Sequence, residues 1–265
     1  MRALATAILL MLLAARPVQG RLPPAEAITL FAEANEAYLS AEKLSEERNA
    51  AAAASKYDTA RDAYEHLAAD GFGRACVYYN LGNTYAKLGR WGHSIWSYRR
   101  ALRLAPRDAD TIANLAYVRD KSLDAIPRRE SAFIRSLLFW HFGLSPRETQ
   151  IVAFFAYYLA CVALCLCFFF RLHLLKKLTY LLIVLLIAFV SSAAVKFVDH
   201  KRPGEAVIVA ESVDVLSGPS DSTEARFRLH SGAEVKLEQT GDGWLKIYVD
   251  KERRGWVPSS ACRVI

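Results

Sequence analysis

Two long apolar runs without a charged residue constrain this chain more than any other feature. Residues 151–170 (IVAFFAYYLACVALCLCFFF) contain no Asp, Glu, Lys or Arg. At about 1.5 Å of rise per residue, a helix of that length reaches about 30 Å, the depth of a bilayer's hydrocarbon core. A short charged stretch, residues 171–177 (RLHLLKK), follows, and residues 178–195 (LTYLLIVLLIAFVSSAAV) are again uncharged. In hydrocarbon every backbone polar group must find its partner within the segment, which a helix achieves and a coil does not. The pattern predicts a two-helix transmembrane hairpin over residues 150–198, with helices at 151–170 and 178–198 joined by a loop at 171–177. Ser145-Pro146-Arg147-Glu148 fits a capping box for the first helix, with Ser145 as N-cap and Glu148 reaching back to the free amides.

A hairpin leaves residues before and after it on one face of the membrane, and the N-terminus says which. Residues 1–20 read as a secretory signal peptide: Arg2, an apolar run too short to span, then Val18-Gln19-Gly20 before Arg21. An uncleaved signal anchor is the alternative, with the same outcome for the domain that follows. Arg171, Lys176 and Lys177 then lie on the cytoplasmic side, in keeping with the positive-inside rule. Both flanking domains are therefore expected outside the cytoplasm, with the hairpin in the lipid bilayer. The net charge of +7 lies largely near the membrane, where Lys and Arg meet anionic head groups. It forms no basic arm interleaved with aromatics, so nucleic acid is not an expected partner. Of five Cys, three fall in the first apolar run, where Cys behaves as a small apolar residue. Cys76 and Cys262 belong to different domains, so no disulfide framework is expected.

Residues 21–126 carry a helical repeat. In residues 75–106 (ACVYYNLGNTYAKLGRWGHSIWSYRRALRLAP) the 3.6-residue period breaks once, at Leu88-Gly89-Arg90. Tyr78, Leu81, Gly82 and Tyr85 on a first helix, then Trp91, Ser94, Tyr98, Ala101 and Pro106 on a second, match the tetratricopeptide repeat (TPR) in order. Gly82 and Ala101 let the two helices approach, and the tyrosines fill the space beside them. An imperfect copy precedes it, with Phe31, Asn35 and Tyr38, then Tyr57, Ala60, Tyr64 and Leu67. Residues 41–55 between them are an Ala- and Glu-rich insertion, expected to lengthen the helices. A third first-helix starts near Asp108, with Ile112, Leu115 and Ala116, so about two repeats and a capping helix are expected. Such arrays resemble modules that hold peptides or partner proteins in a groove lined by the first helices. The groove-facing candidates are Glu36, Tyr79, Asn80, Asn83, Lys87 and Asn114, each also compatible with a solvated helix face. Chaperone-binding arrays of this kind clamp a terminal carboxylate with Lys and Arg beside Asn. Asn80 matches one clamp position, but Ala32, Asp110 and Asn114 stand at the basic ones, so a carboxylate clamp is not expected.

Residues 127–149 include an aromatic stretch, 131–143 (SAFIRSLLFWHFG), which reads as an interfacial segment or as a last helix of the array. From residue 204 the period switches to alternation. Strands are predicted at 206–210, 213–216, 226–229, 234–237, 244–249 and 255–257, separated by Ser217-Gly218-Pro219-Ser220, Ser231-Gly232 and Gly241-Asp242-Gly243. Many short strands in residues 204–265 predict a small β-barrel. Their order, with Val215-Leu216-Ser217-Gly218-Pro219, Arg226-Phe227-Arg228-Leu229, Gly243-Trp244 and Gly255-Trp256-Val257-Pro258-Ser259-Ser260, resembles the bacterial SH3-like (SH3b) domain. Trp244 and Trp256 are its candidate ligand face, since related domains bind cell-wall peptides or glycans; packing residues of the barrel are the other reading.

The fold class expected is thus a multidomain membrane protein: an all-α tetratricopeptide repeat, a transmembrane hairpin and an all-β SH3-like barrel. That order resembles the Bat aerotolerance E family, encoded beside von Willebrand A-domain membrane proteins and a MoxR-type ATPase. The resemblance covers nearly the whole chain after residue 20, with the insertion at 41–55 as its departure. It implies a non-enzymatic scaffold of the bacterial envelope, linked to stress or aerotolerance, whose groove binds von Willebrand A-type Bat proteins or other envelope proteins. The residues themselves offer no Ser-His-Asp or Cys-His arrangement, no glycine-rich phosphate loop and no metal-spaced ligands. No catalytic residue, metal or cofactor is therefore expected. A sensor or anchor that binds peptidoglycan through the SH3-like domain is the alternative function.

Overall fold

The computed structural model describes residues 22–124, 132–170, 173–201, 204–250 and 252–265. The stretch read as a signal peptide, the junction of the repeat region with the interfacial segment at 125–131 and the first two residues of the expected hairpin loop lie outside the described residues. The chain divides between Val77 and Tyr78 into two compact units.

The first unit is an antiparallel helix pair, α1 (Pro24–Glu46) and α2 (Ala50–Leu67). Pro24 opens α1, where a missing N–H costs nothing. The pair turns within three residues, with Arg48 in the left-handed region at φ 60° and the Asn49 side chain capping α2 by accepting from the Ala52 amide. The Ala- and Glu-rich insertion is therefore helical on both sides of this turn. Ala34, Ala41, Ala53 and Ala60 are buried, so the helices lie close together and aromatics fill the edges of the seam. Phe31 meets Tyr64 edge-on at 6.0 Å and Tyr38 meets Tyr57 at 5.4 Å, while the Tyr64 hydroxyl donates to Asn35 Oδ1 at 2.6 Å. A π-helical turn, Ala68–Phe72, ends the pair with Gly71 at φ 89°.

The second unit begins inside α3 (Ala75–Lys87) and continues through α4 (Trp91–Leu104) and α5 (Ala109–Lys121). A Cβ on Gly82 would stand 2.6 Å from the Tyr98 ring, so α3 and α4 cross at the closeness that a hydrogen atom permits. The Ser94 hydroxyl donates across that crossing to the Gly82 carbonyl at 2.8 Å. Asp108 caps α5 by accepting from the Thr111 amide.

Strands β1 (Glu205–Ile208), β2 (Ser212–Leu216), β3 (Ala225–His230), β4 (Glu234–Gly241), β5 (Trp244–Tyr248), β6 (Arg254–Pro258) and β7 (Cys262–Val264) form one seven-stranded sheet in the order β3-β2-β6-β5-β4-β1-β7, all antiparallel. Ile208, Val215, Leu229, Val235, Ile247, Val257 and Cys262, contributed by every strand, share one core, so the sheet curls around its own inner face. The α4–α5 layer covers part of its outside. Ile95, Tyr98, Leu115 and Val118 cluster with Val207 and Ile265. Trp96 Nε1 donates to the Val264 carbonyl at 2.8 Å, and Arg99 pairs with Glu205 and Glu234, the latter also held by Arg119.

Two further helices, α8 (Pro146–Phe169) and α9 (His173–Lys201), follow the short α6 (Ala132–Leu137) and α7 (Phe139–Gly143) and pack along each other. Both α8 and α9 are long and apolar enough to cross a membrane. Helix α9 begins at His173, so most of the charged stretch expected as a loop is helical. The Ser145–Glu148 capping box is present in full. Ala153, Ala156, Ala160 and Ala163 are buried along the seam, the small-residue spacing that brings helices together in lipid, whereas Phe155, Tyr158 and Phe168 face outward. At the head of the pair, Lys196 Nζ donates to the Leu144 carbonyl and to Thr149 Oγ1, each at 2.7 Å, and His141 Nδ1 lies 2.7 Å from Ser192 Oγ.

Candidate partner-binding faces

Four of the six residues expected to line a groove stand on α3, and they divide by exposure. Lys87 is exposed in the last turn, while Tyr79, Asn80 and Asn83 are half-buried. Asn114 on α5 is half-buried beside them, and Glu36 is exposed on α1 of the first unit. Tyr79, Asn83 and Asn114 are brought together, with a fourth residue from α4. The Tyr98 hydroxyl donates to Asn83 Oδ1 at 2.6 Å, and Asn114 Nδ2 donates to the same oxygen at 3.0 Å. Asn114 Nδ2 also reaches the Tyr79 hydroxyl at 3.4 Å.

This arrangement fixes chemistry at the surface. Two donors occupy Asn83 Oδ1, which sets the orientation of the carboxamide and turns its Nδ2 away from Tyr98 and Asn114. Asn114 Nδ2 faces both Asn83 Oδ1 and the Tyr79 hydroxyl, which directs its Oδ1 away from them. The face therefore offers amide donors and an amide acceptor side by side, the groups that pair with a peptide's main chain. Burial pushes the Tyr98 phenol well above its ordinary range, so it stays a donor at physiological pH. Tyr98 was legible in the sequence only as a packing residue; its hydroxyl holds the face in place. Asn80 contributes differently, since its backbone carbonyl accepts from the Thr84 hydroxyl at 2.7 Å.

Trp244 and Trp256 stand on a second face. In the β5–β6 ladder, Trp244 pairs with Pro258, Leu245 with Val257, Lys246 with Trp256 and Ile247 with Gly255. Leu245, Ile247, Gly255 and Val257 are buried, so strand alternation sends Trp244, Lys246 and Trp256 to the opposite, outer side. Leu216 of β2 is registered beside Trp256. Both indoles are partly exposed, and neither belongs to the sheet's buried core. Among the described residues, no group of three or more His, Cys, Asp or Glu side chains is placed to hold a metal ion. The five cysteines are free, Cys76 exposed and Cys262 buried.

No protein-family model matches the chain, and no curated protein matches it.

Proposed function

We propose that this protein is a membrane-anchored, non-enzymatic scaffold whose helical face grips an extended segment of a partner envelope protein. The observation that carries this reading is the Tyr98–Asn83–Asn114–Tyr79 network, which presents oriented amide groups across two helices. In this reading α1 to α5 form a tetratricopeptide-type array and the sheet an SH3-like barrel. The repeat-spaced contacts at Gly82, Ser94 and Tyr98, and the single core inside the curled sheet, support those assignments. Helices α8 and α9 are the membrane hairpin, and the regions before and after it lie on its periplasmic side. Exposed Phe133, Leu137 and Phe139 on α6 and α7 suit the head-group boundary, where apolar and aromatic side chains leave water. The order of parts also supports membership in the Bat aerotolerance E family, with von Willebrand A-type Bat proteins as partners.

The test is site-specific photocrosslinking in living cells from a probe at Lys87, with a control probe at the exposed turn residue Asp242. An adduct with one envelope membrane protein from position 87, absent from 242 and reduced by Asn114→Ala, supports the reading. Equal adducts from both positions, or none, would remove the groove from the proposal.

A second reading has its own observation, the outward Trp244–Lys246–Trp256 surface. Partly exposed Trp side chains combine an apolar face with a polar edge, as binding surfaces do, so a cell-wall anchor or sensor is the alternative function. Co-sedimentation of the whole protein with purified peptidoglycan, lost on Trp244→Ala/Trp256→Ala, is the result that would favour it.

A further inference from the structure

We propose that the outward face of α5 is a contact between two copies of this chain, in which α5 packs antiparallel against α5 of the second copy. Thr111, Leu115 and Val118 form the buried side of this helix. On the opposite side Ile112, Ala113, Ala116 and Tyr117 are exposed, a stripe at the spacing of one helix face. Ile112 is 48% exposed and Tyr117 59%, so two large side chains that burial would stabilise stand in the open.

Shape and charge both select a second copy. Ala113 and Ala116 run along the middle of the stripe, with Ile112 on one flank and Tyr117 on the other. Small residues in the middle let two helix axes approach to the lower end of the about 8–10 Å range. An antiparallel copy whose Ala113 stands opposite Ala116 brings Tyr117 over Ala113 of the second copy and Ile112 over its Ala116, large against small in both directions. The same register sets Lys121 beside Asp110 of the second copy, on the Tyr117 flank, where the Lys121 ammonium already lies 5.5 Å from the centre of the Tyr117 ring. Among the described residues Asp110 and Asp120 form no ion pair within the chain. Asp120 lies in the last turn, where the negative end of its own helix disfavours it; the antiparallel copy brings the positive end of its α5 there. A parallel copy would set Asp110 level with Asp110 and Lys121 level with Lys121. The antiparallel contact is isologous, so each of its attractions is made twice.

One face of a 13-residue helix is small beside the about 1,000 Å² that a lasting interface in dilute solution needs. The α8–α9 pair supplies the rest, on the reading of it as a membrane hairpin: copies held in one bilayer meet at a raised effective concentration, so a modest face suffices. Asn114, on the same helix, is half-buried and donates to Asn83. The stripe and the partner-binding face are therefore different surfaces of α5, and a dimer would carry two partner-binding faces.

The experiment traps the contact as a disulfide in the membranes of cells that express two differently tagged full-length copies, one with Ala113→Cys and the other with Ala116→Cys. Both copies also carry Cys76→Ser, Cys161→Ala, Cys165→Ala and Cys167→Ala. Mild oxidation is expected to give a mixed dimer, whereas copies with Asp242→Cys, in an exposed turn of the sheet, give none. Lys121→Glu in both copies replaces two attractions by two repulsions and is expected to lower the yield about tenfold. Asp110→Lys/Lys121→Glu is expected to restore it, which a misfolded variant could not do, and Asn114→Ala is expected to leave it unchanged. A yield no higher than that of Asp242→Cys, an unaltered yield in Lys121→Glu, or no recovery in the double variant would overturn the proposal. A disulfide joining α5 to a different protein would also overturn it, by identifying another occupant. The hairpin fails separately: flanking regions found on opposite faces of the membrane would remove that reading and leave a trapped α5 dimer standing.

Discussion

Gly92 looks unremarkable in the sequence, a glycine near the start of a helix, yet it sets how closely α4 meets the sheet. A Cβ at this position would stand 2.2 Å from the Ile208 carbonyl oxygen and 2.7 Å from Ser231 Oγ. In an isolated helix Gly92→Ala would gain about 1 kcal/mol of propensity. Here the backbone clash outweighs that gain, and a net destabilisation of about 1–3 kcal/mol is expected from the overpacking, measured as a lower denaturant midpoint for the second unit. An unchanged midpoint would mean that α4 does not lie against β1. Tyr98 is a milder case. Tyr98→Phe keeps the ring that fills the space opposite Gly82 but removes the hydroxyl from Asn83 Oδ1. A loss of about 1 kcal/mol is expected, together with weaker partner crosslinking from position 87, since Asn83 is then oriented by Asn114 alone. Of the eight residues singled out from the sequence, Tyr79, Asn83 and Asn114 converge and Trp244 and Trp256 share a face. Helical spacing and strand alternation made those groupings readable. The role of Gly92 was not, because it depends on Ile208 and Ser231, far away in the chain, and that of the Tyr98 hydroxyl was not, because it depends on which side chains of the neighbouring helices face it.

At the scale of elements, strong periodicity was legible and short or long-range pairing was not. The two apolar runs, the break at residues 88–90 and six of the strands all announce themselves through spacing or turn chemistry. β7 does not: Cys262–Val264 is too short to show alternation, and only its pairing with β1 makes it a strand. The covering of β1 by α4 was also hidden. Nothing local in the sequence marks Val264 or Glu205 as the partners of Trp96 and Arg99. Cys262 reports on this part of the fold. Burial pushes its thiol up to about 12, so in the folded protein it keeps its proton and resists alkylation. Iodoacetamide at about pH 8, followed by peptide mapping, is expected to modify exposed Cys76 and spare Cys262. The same shift has a sign for stability. Between the unfolded thiol's value of about 8.5 and the folded value, only the unfolded chain releases the proton, so stability falls as pH rises through that window. Cys262→Val is expected to flatten that alkaline decline in thermal-shift measurements; an unchanged slope would place the thiol in contact with solvent.

On the scale of the whole molecule, the helical layer and the long helix pair of the second unit are joined by a few polar links that the sequence alone could not have matched. Arg107, in the connection between α4 and α5, pairs with Glu148 of the capping box, tying the helical layer to the start of α8. Lys196 of α9 ties that helix to Leu144 just before α8 and to Thr149 in its first turn. On the proposed scaffold reading, a partner held on the helical face would be tethered near the α8–α9 pair by these links. The measurement that tests this most directly is two-site labelling with a membrane-impermeant maleimide. It uses Cys76 in one arm and Ser220→Cys in a Cys76→Ser background in the other, both with Cys161, Cys165 and Cys167 replaced by Ala. If α8 and α9 cross the membrane as a hairpin, right-side-out vesicles are expected to label both positions and inverted vesicles neither. Labelling of one position from each side, or of both positions from both sides, would contradict a hairpin that holds the two flanking regions on the periplasmic face.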